Sequence, residues 1–137
     1  MIEGISHITL IVSDLQRSAE MLEKIFFAEE IYSSGEQQYS LSKEKFFLIA
    51  GVWLVLMEGE QLSERGYNHI AFKISEADVD FYIARISEHG LEIKPPRPRV
   101  SGEGQSLYFY DYDNHLFELH TGTLAERLVR YCASGEK

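Results

Sequence analysis

The chain has 137 residues, of which 45% are apolar and 26% charged; this suits one ordered domain with a sizeable core and excludes extended disorder. A formal charge of −9 excludes nucleic acid or an anionic membrane as the main partner, since both demand clustered Lys and Arg, and favours a small ligand. The single cysteine, Cys132, cannot form an internal disulfide, and no stretch reads as a leader or membrane span, so cytoplasmic residence is expected.

Residues 5–12 are apolar and β-branched and predict a strand, with Asp14 as cap of an amphipathic helix over 15–27. Short β-like runs follow at 30–34, 39–42, 46–50 and 53–57, separated by Gly35, the charged Lys43-Glu44-Lys45 stretch and Gly51, and predict two or three hairpin strands. The order then repeats: a strand over 68–74, a helix over 76–89 stopped by Gly90, and strands near Leu91, Leu107 and Leu116. Residues 95–104, with Pro95, Pro96, Pro98, Gly102 and Gly104, read as a loop. Its arginines, Arg97 and Arg99, suit either an anion or an ordinary solvated connection. A terminal helix is expected over 124–131. The chain is thus α+β, with βαβββ modules over 1–60 and 61–122 and a helical tail over 123–137.

The modules share a phrase. Residues 4–14 and 66–76 both run Gly, two variable residues, His-Ile, alternating apolar positions, then Ser and an acid, 62 positions apart. Such self-similarity implies two copies of one unit, and a pseudo-twofold packing would make His7 and His69 converge. Each histidine alone is more often structural than a ligand; two related by the repeat point to a shared metal, proton or anion. The same offset sets residues 53–57 against 115–119, and Leu56 against Glu118. Glu118 between Phe117 and Leu119 is either an edge-strand side chain facing water or an inward carboxylate that needs a cation. In the second case Leu56 supplies no ligand, and His7, His69 and Glu118 form a three-ligand site with positions left for water and substrate. Glu58, two residues after Leu56 and expected on the same strand face, is the candidate fourth ligand if the register differs. Imidazole and carboxylate alone would accept Mn²⁺, Fe²⁺, Zn²⁺ or Ni²⁺.

Together with the paired βαβββ layout and the hairpin phrase Tyr108-Phe109-x-Asp111-x-Asp113-x-His115-x-x-Glu118, these residues resemble the vicinal oxygen chelate superfamily, which holds glyoxalases, extradiol dioxygenases and fosfomycin resistance proteins. The resemblance spans nearly the whole chain. Residues 4–9, 102–109 and the pair Glu126-Arg127 are most similar to the fosfomycin resistance branch. That branch contains thiol transferases, which use glutathione or bacillithiol, and the FosX type, which adds water to the epoxide. The phrase Leu41-Ser42-Lys43-Glu44-Lys45-Phe46-Phe47 resembles the FosX type, and the resemblance implies Glu44 as general base; residue types alone make it a solvated charge between two lysines.

The resemblance further implies Mn²⁺ on His7, His69 and Glu118, and a phosphonate held by Thr9, Ser106, Tyr108 and Arg127. Gly102 and Pro98 stand where the glutathione-dependent relatives place a serine and a lysine, and Arg99, or else Arg97, would replace the missing cation. A homodimer with shared sites is also implied. The expected function is metal-dependent hydration of fosfomycin to a diol phosphonate. Two alternatives stand beside it: a thiol transferase acting on the same antibiotic, and a non-catalytic protein that binds a metal or a drug.

Overall fold

Asp14 ends the first strand and starts the first helix, because its carboxylate accepts from Arg17 N at 3.0 Å in an extended backbone conformation. The computed structural model in which this is seen describes residues 1–95 and 104–135. They fall into two units.

The first unit takes Met1–Gly66 together with Asp111–His115. It contains β1 (Ile8–Val12), α1 (Leu15–Phe26), β2 (Glu29–Ser33), β3 (Glu44–Ile49) and β4 (Val52–Glu58). The sheet order is β1-β4-β3-β2, with β1 parallel to β4 and the other pairs antiparallel. Strand alternation sends Leu54 and Leu56 of β4 and Phe47 and Ile49 of β3 to one face, where they are buried with Met21, Leu22, Ile25 and Phe26 of α1. Ala50 and Gly51, with φ of 47° and 83°, make the tight β3–β4 turn that matches strand twist.

The second unit contains β5 (His69–Lys73), a 3₁₀ turn over Glu76–Asp78, α2 (Val79–Glu88), β6 (Ser106–Tyr110), β7 (Leu116–His120) and α3 (Leu124–Gly135). The order is β5-β7-β6, with β5 parallel to β7 and β6 antiparallel to it. Leu107, Phe109, Phe117 and Leu119 are buried, as are Val79 and Ile86 of α2, and Phe109 stacks on Phe117 at 5.9 Å. A capping box starts α3: Thr123 Oγ1 accepts from Glu126 N at 3.1 Å, and Glu126 Oε1 accepts from Thr123 N at 2.9 Å.

Several expectations are corrected. Residues 39–42 are bends rather than a strand, with Tyr39 and Leu41 exposed and the Gln38 amide bonded to the Leu41 carbonyl. The charged triplet does not interrupt the sheet, because β3 begins at Glu44. Near Leu91, among the described residues, a single bridge forms in place of a strand, Ile93 to Phe109. The second helix divides into the 3₁₀ turn and α2, because Ser75 caps the turn and not the helix. Arg97, Arg99, Pro98 and Gly102 lie outside the described residues. None of the described helices is long and apolar enough to cross a membrane.

Register gives a further correction. Ile8 pairs with Leu54, which sets His7 beside Trp53, whereas His69 pairs with Leu116. Phe46 pairs with Val55, and Tyr108 with Glu118. Glu118 therefore corresponds in structure to Val55 and not to Leu56. The cause is the longer β6–β7 turn, which shifts β7 by one residue against the repeat. Val55 is as unable to bind a metal as Leu56, so the count of expected ligands is unaffected.

Candidate active site

On the second unit, the sheet face opposite its apolar core carries His69, Glu118, Ser106, Tyr108 and His120, because paired residues project to the same side. Glu118 is 4% exposed, and a carboxylate so placed needs strong partners. Its Oε1 lies 2.9 Å from His69 Nε2, and its Oε2 accepts from Ser106 Oγ at 2.5 Å. His69 Nδ1 lies 2.7 Å from the Tyr67 carbonyl, which only accepts, so that nitrogen carries the proton. His69 Nε2 is thereby turned to the carboxylate, and a cation placed against both would satisfy them. A divalent ion meets that need, and the carbonyl behind the imidazole orients it as metal-bound histidines are commonly oriented.

Tyrosines and a cation surround this pair. Tyr108 Oη is 3.0 Å from Tyr67 Oη, and the Tyr108 ring meets the His69 ring edge-on at 5.6 Å. Lys94 Nζ sits 5.3 Å from the centre of the Tyr110 ring and 6.0 Å from that of Tyr67. Arg127, in the first turn of α3, reaches back to His120, with Nη2 3.1 Å from Nε2.

On the first unit, the face away from α1 carries His7, Thr9, Trp53, Val55, Phe46 and Glu44 by the same pairing rule. His7 stacks on Trp53 at 4.3 Å, Trp53 meets Phe46 at 5.2 Å, and Phe46 meets Tyr32 at 4.8 Å. Ser6 Oγ lies 3.0 Å from His7 Nδ1. Glu44 is 8% exposed, although both its neighbours are lysines. Those lysines are held elsewhere: Lys43 by Glu36 at 3.1 Å and Lys45 by Glu30 at 3.0 Å. The Glu44 backbone is tied to Ser34, whose Oγ accepts from Glu44 N at 3.0 Å. No described side chain bonds its carboxylate. Glu58 falls on the opposite face and is exposed, so it is not a ligand on the His7 side.

Of the expected ligands, His69 and Glu118 are brought together, and His7 belongs to the first unit. Among the described residues, no group of three or more His, Cys, Asp or Glu is gathered about one point. Of the two aspartates of the hairpin phrase, Asp111 holds the turn, accepting from Asp113 N and His115 N, and Asp113 Oδ1 ties the turn to Ser13, accepting from its N and Oγ. Reasoning from residue types passed over Trp53, Tyr67, Lys94 and His120. The signal for His120 was its position two residues after Glu118, on the same strand face.

With both faces described, comparison with known proteins is decisive. Residues 4–119 match the family described as Glyoxalase/Bleomycin resistance protein/Dioxygenase superfamily. The chain belongs to that superfamily. It is 67% identical over 131 residues to the fosfomycin resistance protein FosX of Listeria monocytogenes, covering 96% of this chain and 98% of the relative. It is 39% identical over 136 residues to the metallothiol transferase FosB of Shouchella clausii, covering 96% of this chain and 88% of that one. A crystal structure of a FosX variant from Listeria monocytogenes, complexed with Mn(II) and 1S,2S-dihydroxypropylphosphonic acid, is similar with a TM-score of 0.89 and 62% identity, over 96% of this chain and 99% of that chain. The two-module fold expected from the repeat is the fold of these relatives.

Proposed function

We propose that this protein is a Mn²⁺-dependent hydrolase that adds water to the epoxide of fosfomycin, gives the diol phosphonate and so confers resistance. The observation that carries the proposal is the buried Glu44 carboxylate, unengaged by its neighbouring lysines, on the sheet face that also bears His7 and Thr9. It is found in a chain far more similar to FosX than to the thiol transferase FosB.

His7, His69 and Glu118 would hold the metal. When bound, Mn²⁺ supplies Lewis acidity at the epoxide oxygen and charge neutralisation at the phosphonate. Arg127, Tyr108 and Thr9 would orient the remaining phosphonate oxygens, with Arg99 of the Pro-rich segment as a further cation, while Ser106, expected beside them, gives its one proton to Glu118 Oε2. Glu44 would accept a proton from the water that attacks the carbon bearing phosphorus, on the side opposite the departing oxygen. A carboxylate already paired with lysine would be a poor acceptor, which is why its isolation matters.

The site would be built across a homodimer. Supporting this, one unit carries His7, Thr9 and Glu44 and the other carries His69, Glu118, Ser106, Tyr108 and Arg127. Side chains on α3 that a partner could cover are exposed, among them Leu124, Leu128 and Val129.

Phosphorus NMR of fosfomycin incubated with the protein and Mn²⁺ tests the reading. The diol phosphonate should accumulate over many turnovers without thiol. Consumption only after glutathione or bacillithiol is added would establish the transferase instead, and stoichiometric capture without product would establish a binding protein.

A further inference from the structure

The side chains of the β6–β7 face form a hydrogen-bonded chain whose directions are fixed from one end. Arg127 has only N–H donors, and its Nη2 is 3.1 Å from His120 Nε2, so that nitrogen accepts. The imidazole proton is then on Nδ1, which donates to Ser106 Oγ at 2.7 Å. With a donor already on its oxygen, the Ser106 hydroxyl directs its own proton to Glu118 Oε2 at 2.5 Å. The direct separation of His120 Nδ1 from Glu118 Oε2 is 3.4 Å, longer than either step through the serine, so the shortest link between ring and carboxylate runs through Ser106.

We propose that His120 is a positioning residue that fixes Glu118 and Arg127 through one tautomer, so that the arginine that would hold the phosphonate and the carboxylate that would hold the metal are set by a single ring. This rests on the proposed roles of those two residues. A serine hydroxyl is a free rotor and an arginine a long flexible chain; one imidazole removes both freedoms before metal or substrate arrives. The ring is itself seated closely. Gly104 has φ of 94°, and a Cβ there would lie 2.8 Å from Gly122 N and 3.2 Å from His120 Cε1, so only bare backbone fits beside it.

Two variants separate the halves of the relay. His120→Asn keeps an N–H near the Nδ1 position and removes the acceptor for Arg127; His120→Gln carries a carbonyl toward the Nε2 position and removes the donor to Ser106. For His120→Asn, KM for fosfomycin should rise about tenfold while the Mn²⁺ Kd, titrated with the metal alone, stays within about twofold. For His120→Gln the Mn²⁺ Kd should weaken about tenfold, with KM at saturating Mn²⁺ changed less than about threefold. Both constants moving together in both variants, or neither moving, would overturn the relay. ¹⁵N-histidine NMR of the wild-type full chain before Mn²⁺ is added needs no variant. His120, assigned through its backbone, should be the Nδ1–H tautomer, and an Nε2–H tautomer would overturn the proposal even if neither variant folds. Wild-type protein that binds Mn²⁺ but leaves fosfomycin unchanged would refute hydration alone, and the metal titration and the nitrogen spectrum would still decide the relay.

Discussion

Glu44 is flanked by two lysines yet neutralised by neither, because each lysine is paired with a different glutamate and strand alternation turns Lys45 to the other face. Its backbone is held at both ends, with Ser34 N donating to the Glu44 carbonyl at 3.0 Å and Ser34 Oγ accepting from Glu44 N. The backbone that carries the carboxylate is therefore held, and no described side chain bonds its oxygens. Glu44→Gln should keep Mn²⁺ and fosfomycin affinity and lose about 10²- to 10⁴-fold in kcat, the usual contribution of a general base; unchanged turnover would remove it from the reaction. Glu118→Ala should act differently. It deletes the carboxylate that faces His69 Nε2, and elemental analysis should find the variant depleted of manganese with activity abolished.

In the first unit α1 is laid on the sheet, and in both units the candidate site residues sit on the sheet face opposite the apolar core; most of this was legible in the sequence. The Asp14 cap, the α1 stripe and the His-Ile strands were marked by residue type and period. Asp14→Ala should cost about 1 kcal/mol of stability, read by urea unfolding, with kcat retained, because the side chain caps α1 and touches no candidate site residue. Strand boundaries were less legible: three consecutive charges at 43–45 read as a turn, although two of them enter β3, one buried and one ion-paired. Pairing register was also hidden, since it depends on turn geometry and not on side-chain pattern. Once corrected, it gives Glu44 a counterpart. Glu44 pairs with Met57 as Ser106 pairs with His120, so the position of the proposed general base in one module is, in the other, that of the serine proposed to orient Glu118.

Across the whole molecule, the candidate residues are divided between the two units, His7, Thr9 and Glu44 in one and His69, Ser106, Tyr108, Glu118 and Arg127 in the other. The sequence carried His7, His69 and Glu118 as a set because the repeat and the apolar flanks of Glu118 single them out. The links among Ser106, Glu118, His120 and Arg127 could not be read there, since only β6–β7 pairing and the return of α3 bring them together. A homodimer with shared sites makes a quantitative prediction. Co-refolding His7→Ala with Glu118→Ala should restore about a quarter of wild-type activity, because half the dimers are mixed and each then holds one intact site of two. Sites confined to single chains would give none. The central claim is that water, activated by Glu44, opens the epoxide at the carbon bearing phosphorus. Turnover of fosfomycin with Mn²⁺ in ¹⁸O-water, followed by mass spectrometry and phosphorus NMR, tests it most directly: the product should be a diol phosphonate with one ¹⁸O on the carbon attached to phosphorus, whereas label on the other carbon, or no product until a thiol is supplied, would contradict it.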